Sequence, residues 1–118
     1  MGYPLTVIYH NPRCSKSRAT LKLIQEQGIE PDIVLYLQDS PDAQTIRSIT
    51  KTLNCSALQI TRTSEALYTE LGLKDKNLDE ESMIKILAKN PSLLERPIVL
   101  NNGQAVIGRP PENVLTIL

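Results

Sequence analysis

Between Leu5 and Leu37 the sequence reads strand, turn, helix, strand, with little room for anything else. Leu5 to Tyr9 is an apolar run that suits a buried strand, and Pro12 cannot prolong a strand ladder. Ser15 is a good helix-capping residue, and Ser15 to Gln27 lacks Gly and Pro, so a helix is expected there, ended by Gly28. The i,i+4 pairs Ala19/Leu23 and Thr20/Ile24 give that helix a core-facing side. Ile33-Val34-Leu35-Tyr36-Leu37 is nearly continuous in apolar residues, which predicts a central strand covered on both faces. Strand, helix and strand at this spacing make a βαβ unit with parallel strands and a right-handed crossover.

The middle of the chain is helical. Ser40-Pro41 opens a segment with Ile46, Ile49 and Leu53 at helical spacing, Ser64 can cap a short helix with Leu67 and Leu71, and Asp79 can cap another with Met83, Ile84 and Leu87 inward. Strand character returns in Ile98-Val99-Leu100 and Ala105-Val106-Ile107, joined through Asn102-Gly103, a strong hairpin signal. Pro111 suits the first turn of a last helix with Val114, Leu115 and Leu118. The order β-α-β, helices, β-β-α is that of a thioredoxin-like α/β fold with a mixed sheet and a helical insertion between the second and third strands. One domain over residues 1–118 is expected, with the insertion at about 40–95.

Within that frame Cys14 falls in a turn at a helix N-terminus. Free N–H groups and the positive end of the helix dipole stabilise an anion there, and Arg13, Lys16 and Arg18 add positive charge. A thiol so placed ionises more readily. The alternative is a small buried hydrophobe, but Cys14 is flanked by polar and charged residues. The same fold brings the loop before the third strand beside that turn. A cis bond at Arg96-Pro97 would aim the preceding backbone at Cys14.

Arg62, Arg96 and Arg109 all stand at segment boundaries. Each is either an oxyanion ligand, for which the forked guanidinium is suited, or a solvated surface charge. His10, four residues before Cys14, is either a donor to the thiolate or a histidine at a strand end. A phosphatase loop of the form Cys-x5-Arg is excluded because Thr20 stands where the arginine would be, and a Cys-x-x-Cys dithiol is excluded by Ser17. Cys55 is a half-buried bystander or, less simply, a resolving thiol. No Cys/His cluster has metal-ligand spacing, so no metal is expected.

Lys+Arg and Asp+Glu both total 13, and Phe and Trp are absent, which argues against nucleic-acid binding. No apolar run reaches the length of a membrane span and no secretory leader is evident, so a cytoplasmic protein with no membrane partner is expected.

The ordered motifs resemble the glutaredoxin-coupled arsenate reductase family, in its short single-domain form. They are Tyr9-His10-Asn11-Pro12-Arg13-Cys14-Ser15-Lys16-Ser17-Arg18, Tyr36-Leu37, Arg62 ahead of Leu67-Tyr68 and Leu71-Gly72-Leu73, Arg96-Pro97-Ile98-Val99, and Gly108-Arg109-Pro110. The resemblance implies that Cys14 is the nucleophile, that His10 helps keep it as thiolate, and that Arg62, Arg96 and Arg109 hold the oxyanion, with Asn11 and Ser15 in support. It implies arsenate as substrate, glutathione as co-substrate with no tightly bound cofactor, and glutaredoxin as partner. A glutathione-linked thiol oxidoreductase without arsenate specificity is the nearest alternative. A transcriptional regulator of the same fold is the other, although such regulators commonly carry the Cys-x-x-Cys that Ser17 removes here.

Overall fold

A computed structural model describes residues 5–118, and its chain forms two compact units, one of Met1–Asp39 with Arg96–Leu118 and the other of Ser40–Glu95. The first unit holds the sheet. Its strands β1 (Thr6–Tyr9), β2 (Asp32–Val34), β3 (Ile98–Asn101) and β4 (Gln104–Ile107) lie in the order β2-β1-β3-β4. β1 and β2 are parallel, as the βαβ pattern predicts, and the other pairings are antiparallel. Two neighbours flank β1 and β3, so Ile8 and Val99, paired across them, have no exposed surface. They pack with Ile24, Val114 and Ile117 into the core of this unit.

The crossover helix α1 (Ser15–Glu26) ends where the glycine predicts. Gly28 takes φ +80°, its N–H reaches the Gln25 carbonyl at 2.9 Å, and Ile29 N–H reaches Ile24 at 3.4 Å. That double closure satisfies carbonyls that would otherwise be orphaned at the helix end. On the core side Thr20 and Ile24 are buried together with Ser17, whereas Ala19 is exposed and Leu23 half-buried. The β3–β4 turn has positive φ at both Asn102 and Gly103, the geometry that an Asn-Gly hairpin requires.

Two expectations need correction. β2 is an edge strand of three residues and not a central one. The backbone turns at Leu35, whose carbonyl accepts both Gln38 N–H at 2.9 Å and Asp39 N–H at 2.8 Å. The apolar run is therefore divided between surroundings, with Tyr36 buried and Ile33 and Leu37 exposed. The last helix, Pro111–Thr116, is a 3-10 helix. Its three-residue repeat carries Val114 and Ile117 inward and leaves Leu115 outside.

The second unit carries α2 (Ala43–Leu53), α3 (Ala66–Glu70) and α4 (Glu80–Lys89), as the insertion predicts. Asp42 caps α2 by accepting Thr45 N–H at 2.8 Å, and Asp79 caps α4, as expected, by accepting Ser82 N–H at 2.8 Å. α3 starts after Glu65 with no side-chain cap, so Ser64 does not cap it. Ile46 and Ile49 of α2 and Met83, Ile84 and Leu87 of α4 are buried, and Arg47 spans the two helices to Glu81 at 2.6 Å. Among the described residues, no helix is long and apolar enough to cross a membrane.

Candidate active site

The loop from β1 to α1 is built from its own hydrogen bonds. Cys14 N–H donates to the Asn11 carbonyl at 3.0 Å, and Arg13 N–H donates to Asn11 Oδ1 at 3.0 Å. The Arg18 guanidinium reaches back to the Pro12 carbonyl at 2.9 Å. Cys14 itself is the N-cap residue of α1, in extended conformation. Ser15 is the first helical residue and is exposed, so the expected hydroxyl cap is not made. The first turn of α1 thus presents N–H groups to a sulfur.

That sulfur is half-buried. Burial pushes the Cys14 thiol up, but the Ser17 N–H, the Arg96 guanidinium and the Lys16 N–H together outweigh it and hold the thiol below its ordinary value. Each of them is a donor to the thiolate and only weakly a partner to the neutral thiol, so the sum favours ionisation. Cys55 is the opposite case. Burial, and then the Glu80 carboxylate, raise its pKa, which leaves it a poor nucleophile at neutral pH.

Ser17 is the residue that sequence reasoning passed over. It has no exposed surface. Its Oγ accepts Asn11 N–H at 3.0 Å and lies 2.6 Å from Nδ1 of His10, while its own N–H serves the Cys14 sulfur. One side chain therefore ties the end of β1, the loop and the helix start together. The available signal was its place three residues after Cys14, where a dithiol protein has its second cysteine. His10 meets the site through Ser17. Burial, then the nearby Arg18 charge, lower its pKa, and the contact through which it joins the site is its hydrogen bond with the Ser17 hydroxyl.

Arg96, a partner of Cys14, begins one of two Arg-Pro corners, Arg96-Pro97 and Arg109-Pro110, both with cis bonds, the first as expected and the second not foreseen. They are joined: Gly108 N–H donates to the Pro97 carbonyl at 2.9 Å, and Arg109 reaches the Arg96 carbonyl at 3.3 Å. Thr20 of α1 meets the second corner at Gly108, with Oγ1 donating to the Lys16 carbonyl at 2.8 Å and lying 3.4 Å from the Gly108 carbonyl. The Arg96 side chain reaches the Cys14 sulfur, and its buried Nε has no partner among the described residues. An N–H donor left open beside a thiol of lowered pKa is suited to an anionic oxygen.

Of the sequence-predicted residues, Cys14, His10, Asn11, Ser15, Arg96, Pro97 and Arg109 all lie in the unit that holds the sheet. Arg62 lies in the helical unit, where Glu65 holds its guanidinium at 2.7 Å and Glu95 approaches Nε at 3.8 Å.

Residues 9–117 match the ArsC family. The chain is 55% identical to "Uncharacterized protein YfgD" of Escherichia coli (strain K12) over 94% of each chain. It is 47% identical to an arsenate reductase of Neisseria meningitidis, over 98% of this chain and 99% of the relative. Among solved structures, an arsenate reductase from Vibrio cholerae superposes with a TM-score of 0.92 at 46% identity, covering 96% of this chain and 97% of that one.

Proposed function

This chain is a member of the ArsC family, and from that premise we propose that it reduces arsenate to arsenite through Cys14, with glutathione and glutaredoxin supplying the electrons. The observation that carries the reading is a single thiol whose pKa is lowered by two backbone N–H groups and by an arginine that still has a buried donor unused. Arsenate is an oxyanion of the size and charge that such donors favour, and its homologues' names point to the same substrate.

In this reading arsenate docks against Arg96 and Arg109 at the start of α1. The Cys14 thiolate attacks arsenic and hydroxide or water leaves, with no change of oxidation state. Glutathione then attacks the thiol-linked arsenate. A disulfide forms between Cys14 and glutathione, the sulfur–arsenic electron pair stays on arsenic, and arsenite departs. A thiol of glutaredoxin takes the glutathionyl group and returns Cys14 as thiolate. With Ser17 three residues on, the second thiol has to arrive from outside.

The test is arsenite formation by the purified protein with glutathione and glutaredoxin, each omitted and restored. Turnover is expected only with both present and is expected to vanish in Cys14→Ser. Arsenite production surviving in Cys14→Ser would remove the thiol mechanism. Glutathione exchange at Cys14 without arsenite production would leave a thiol oxidoreductase of another substrate.

A further inference from the structure

Beside the Cys14 loop, on the side toward β2, is a cavity of about 240 Å³. One wall is the loop itself, with His10, Asn11 and Arg13; the other is the turn after β2, with Leu35, Leu37 and Gln38. Its volume corresponds to about eight waters of liquid density. That falls short of a whole drug-sized ligand but suits one end of a short peptide.

The charge around it is unbalanced. Arg47 is bound by Glu81, and Arg62 by Glu65 and Glu95. No carboxylate of the chain pairs with Arg13, Lys16 or Arg18 among the described residues, although the protein's formal net charge is zero. Arg13 is exposed on the cavity rim, one residue from the reactive sulfur. Leu37 is 47% exposed on the opposite wall, an apolar surface open to solvent.

We propose that this cavity seats the carboxylate end of the thiol co-substrate, with Arg13 pairing the carboxylate, Leu35 and Leu37 covering the adjoining chain, and the co-substrate's sulfur left outside within reach of Cys14. The proposal rests on the reading that an external thiol resolves Cys14. In glutathione the glycine carboxylate follows the cysteine by one residue. Arg13, on the cavity rim, and Cys14 are likewise consecutive in this chain. Gln38, on the wall with Leu35 and Leu37, supplies the cavity with an amide able to hydrogen-bond a peptide group. The rest of the tripeptide remains in solvent.

The experiment uses the full chain with Cys55→Ser, so that Cys14 is the one thiol, loaded as its mixed disulfide with thionitrobenzoate. Attack of an incoming thiolate on the Cys14 sulfur forms the new disulfide and expels thionitrobenzoate, which is followed by absorbance; no net oxidation occurs. The probes are glutathione, its glycine monoethyl ester and 2-mercaptoethanol. Release by glutathione is expected to saturate and, at low concentration, to exceed release by the ester by about tenfold, the scale of one charge-assisted pair. Release by 2-mercaptoethanol is expected to rise linearly. Arg13→Ala should bring glutathione down to the ester's rate, whereas Lys16→Ala, outside the cavity, should preserve most of the difference. Equal rates for acid and ester in the Cys55→Ser protein would overturn the proposal. So would an equal loss in Arg13→Ala and Lys16→Ala, which would mean diffuse charge and no seat. This assay contains no arsenic, so its failure leaves the arsenate reading standing, and saturable exchange without arsenite formation would sink only that reading.

Discussion

Gly108→Ala is the substitution for which the structure gives the sharpest expectation. A methyl group built at this position lies 2.5 Å from Thr20 Oγ1, 2.8 Å from Pro97 Cγ and 3.0 Å from Thr20 Cγ2. Ordinary carbon contacts lie near 3.5–4.0 Å, so the two elements would have to separate by roughly 1 Å. Neither neighbour can swing aside cheaply. Thr20 is β-branched on a helix, fully buried, and bonded to Lys16 at 2.8 Å; Pro97 is a buried ring. Overpacking of this kind costs about 1–3 kcal/mol. An unfolding entropy of about 2.1 cal/mol/K per residue comes to about 0.25 kcal/mol/K for this chain, so the midpoint should fall by roughly 4–12 °C. The movement also has a chemical readout. Gly108 N–H holds the Pro97 carbonyl, and Arg109 reaches the Arg96 carbonyl, so pushing this corner off α1 draws the Arg96 guanidinium from Cys14. Thermal melts and the pH dependence of iodoacetamide alkylation measure the two effects. In a Thr20→Ala background two of the three overlaps disappear, and Gly108→Ala should cost visibly less there. A Gly108→Ala protein that melts within a degree of wild type, with strictly additive behaviour in the double variant, would refute the account.

The two cysteines should separate by pH. Cys14 has its pKa lowered and Cys55 raised, so labelling near pH 7 followed by mass spectrometry should modify Cys14 almost alone; comparable labelling of both would contradict the assigned environments. Ser17→Ala removes the partner of both Asn11 N–H and His10 Nδ1 in a buried place, at a cost of about 1–3 kcal/mol in denaturant melts, and slows alkylation of Cys14 as the loop loosens. His10 should make stability fall with acid. Its folded-state pKa is lowered, so the unfolded chain takes up the proton first; the contribution is complete above about pH 6.5 and is lost as pH falls from there toward the folded value. Urea midpoints of wild type and His10→Gln should converge below that window, and parallel curves would speak against it. Arg96→Ala should raise KM for arsenate and lower kcat together, because in the proposed reaction the guanidinium beside the Cys14 sulfur also docks the oxyanion. Unchanged kinetics would reduce Arg96 to a structural part.

Periodicity and punctuation were enough to read the elements themselves. The helix from Ser15 closes at Gly28, the hairpin turns at Asn102-Gly103, and Asp79 caps its helix, because each of these is decided by residues within a few positions of one another. β2 was misread because its burial is not a local property. Ile33-Val34-Leu35-Tyr36-Leu37 looks like a central strand on composition, yet only the sheet order shows that β2 has one neighbour. The Leu35 turn then buries Tyr36 and exposes Leu37.

The site divides along the same line. Cys14 could be recognised because its activation comes from backbone placement, which the turn-then-helix pattern already implies. Arg96 and Pro97 could be anticipated because the fold sets them beside that turn. The contacts that fix the corner in place are long-range: Thr20 against Gly108 spans 88 positions of sequence. A glycine with no positive φ, as here, carries no local sign of why it must be glycine. Ser17 likewise reads in the sequence only as the place of a missing second thiol until His10 and Asn11 are seen to converge on it. The local sequence therefore specifies an ionisable sulfur at a helix end. What makes it a site is the distance at which α1 is held from the two Arg-Pro corners. That distance depends on a threonine and a glycine with no chemistry of their own, so substitutions at Thr20 and Gly108 should alter Cys14 reactivity as surely as those at the arginines.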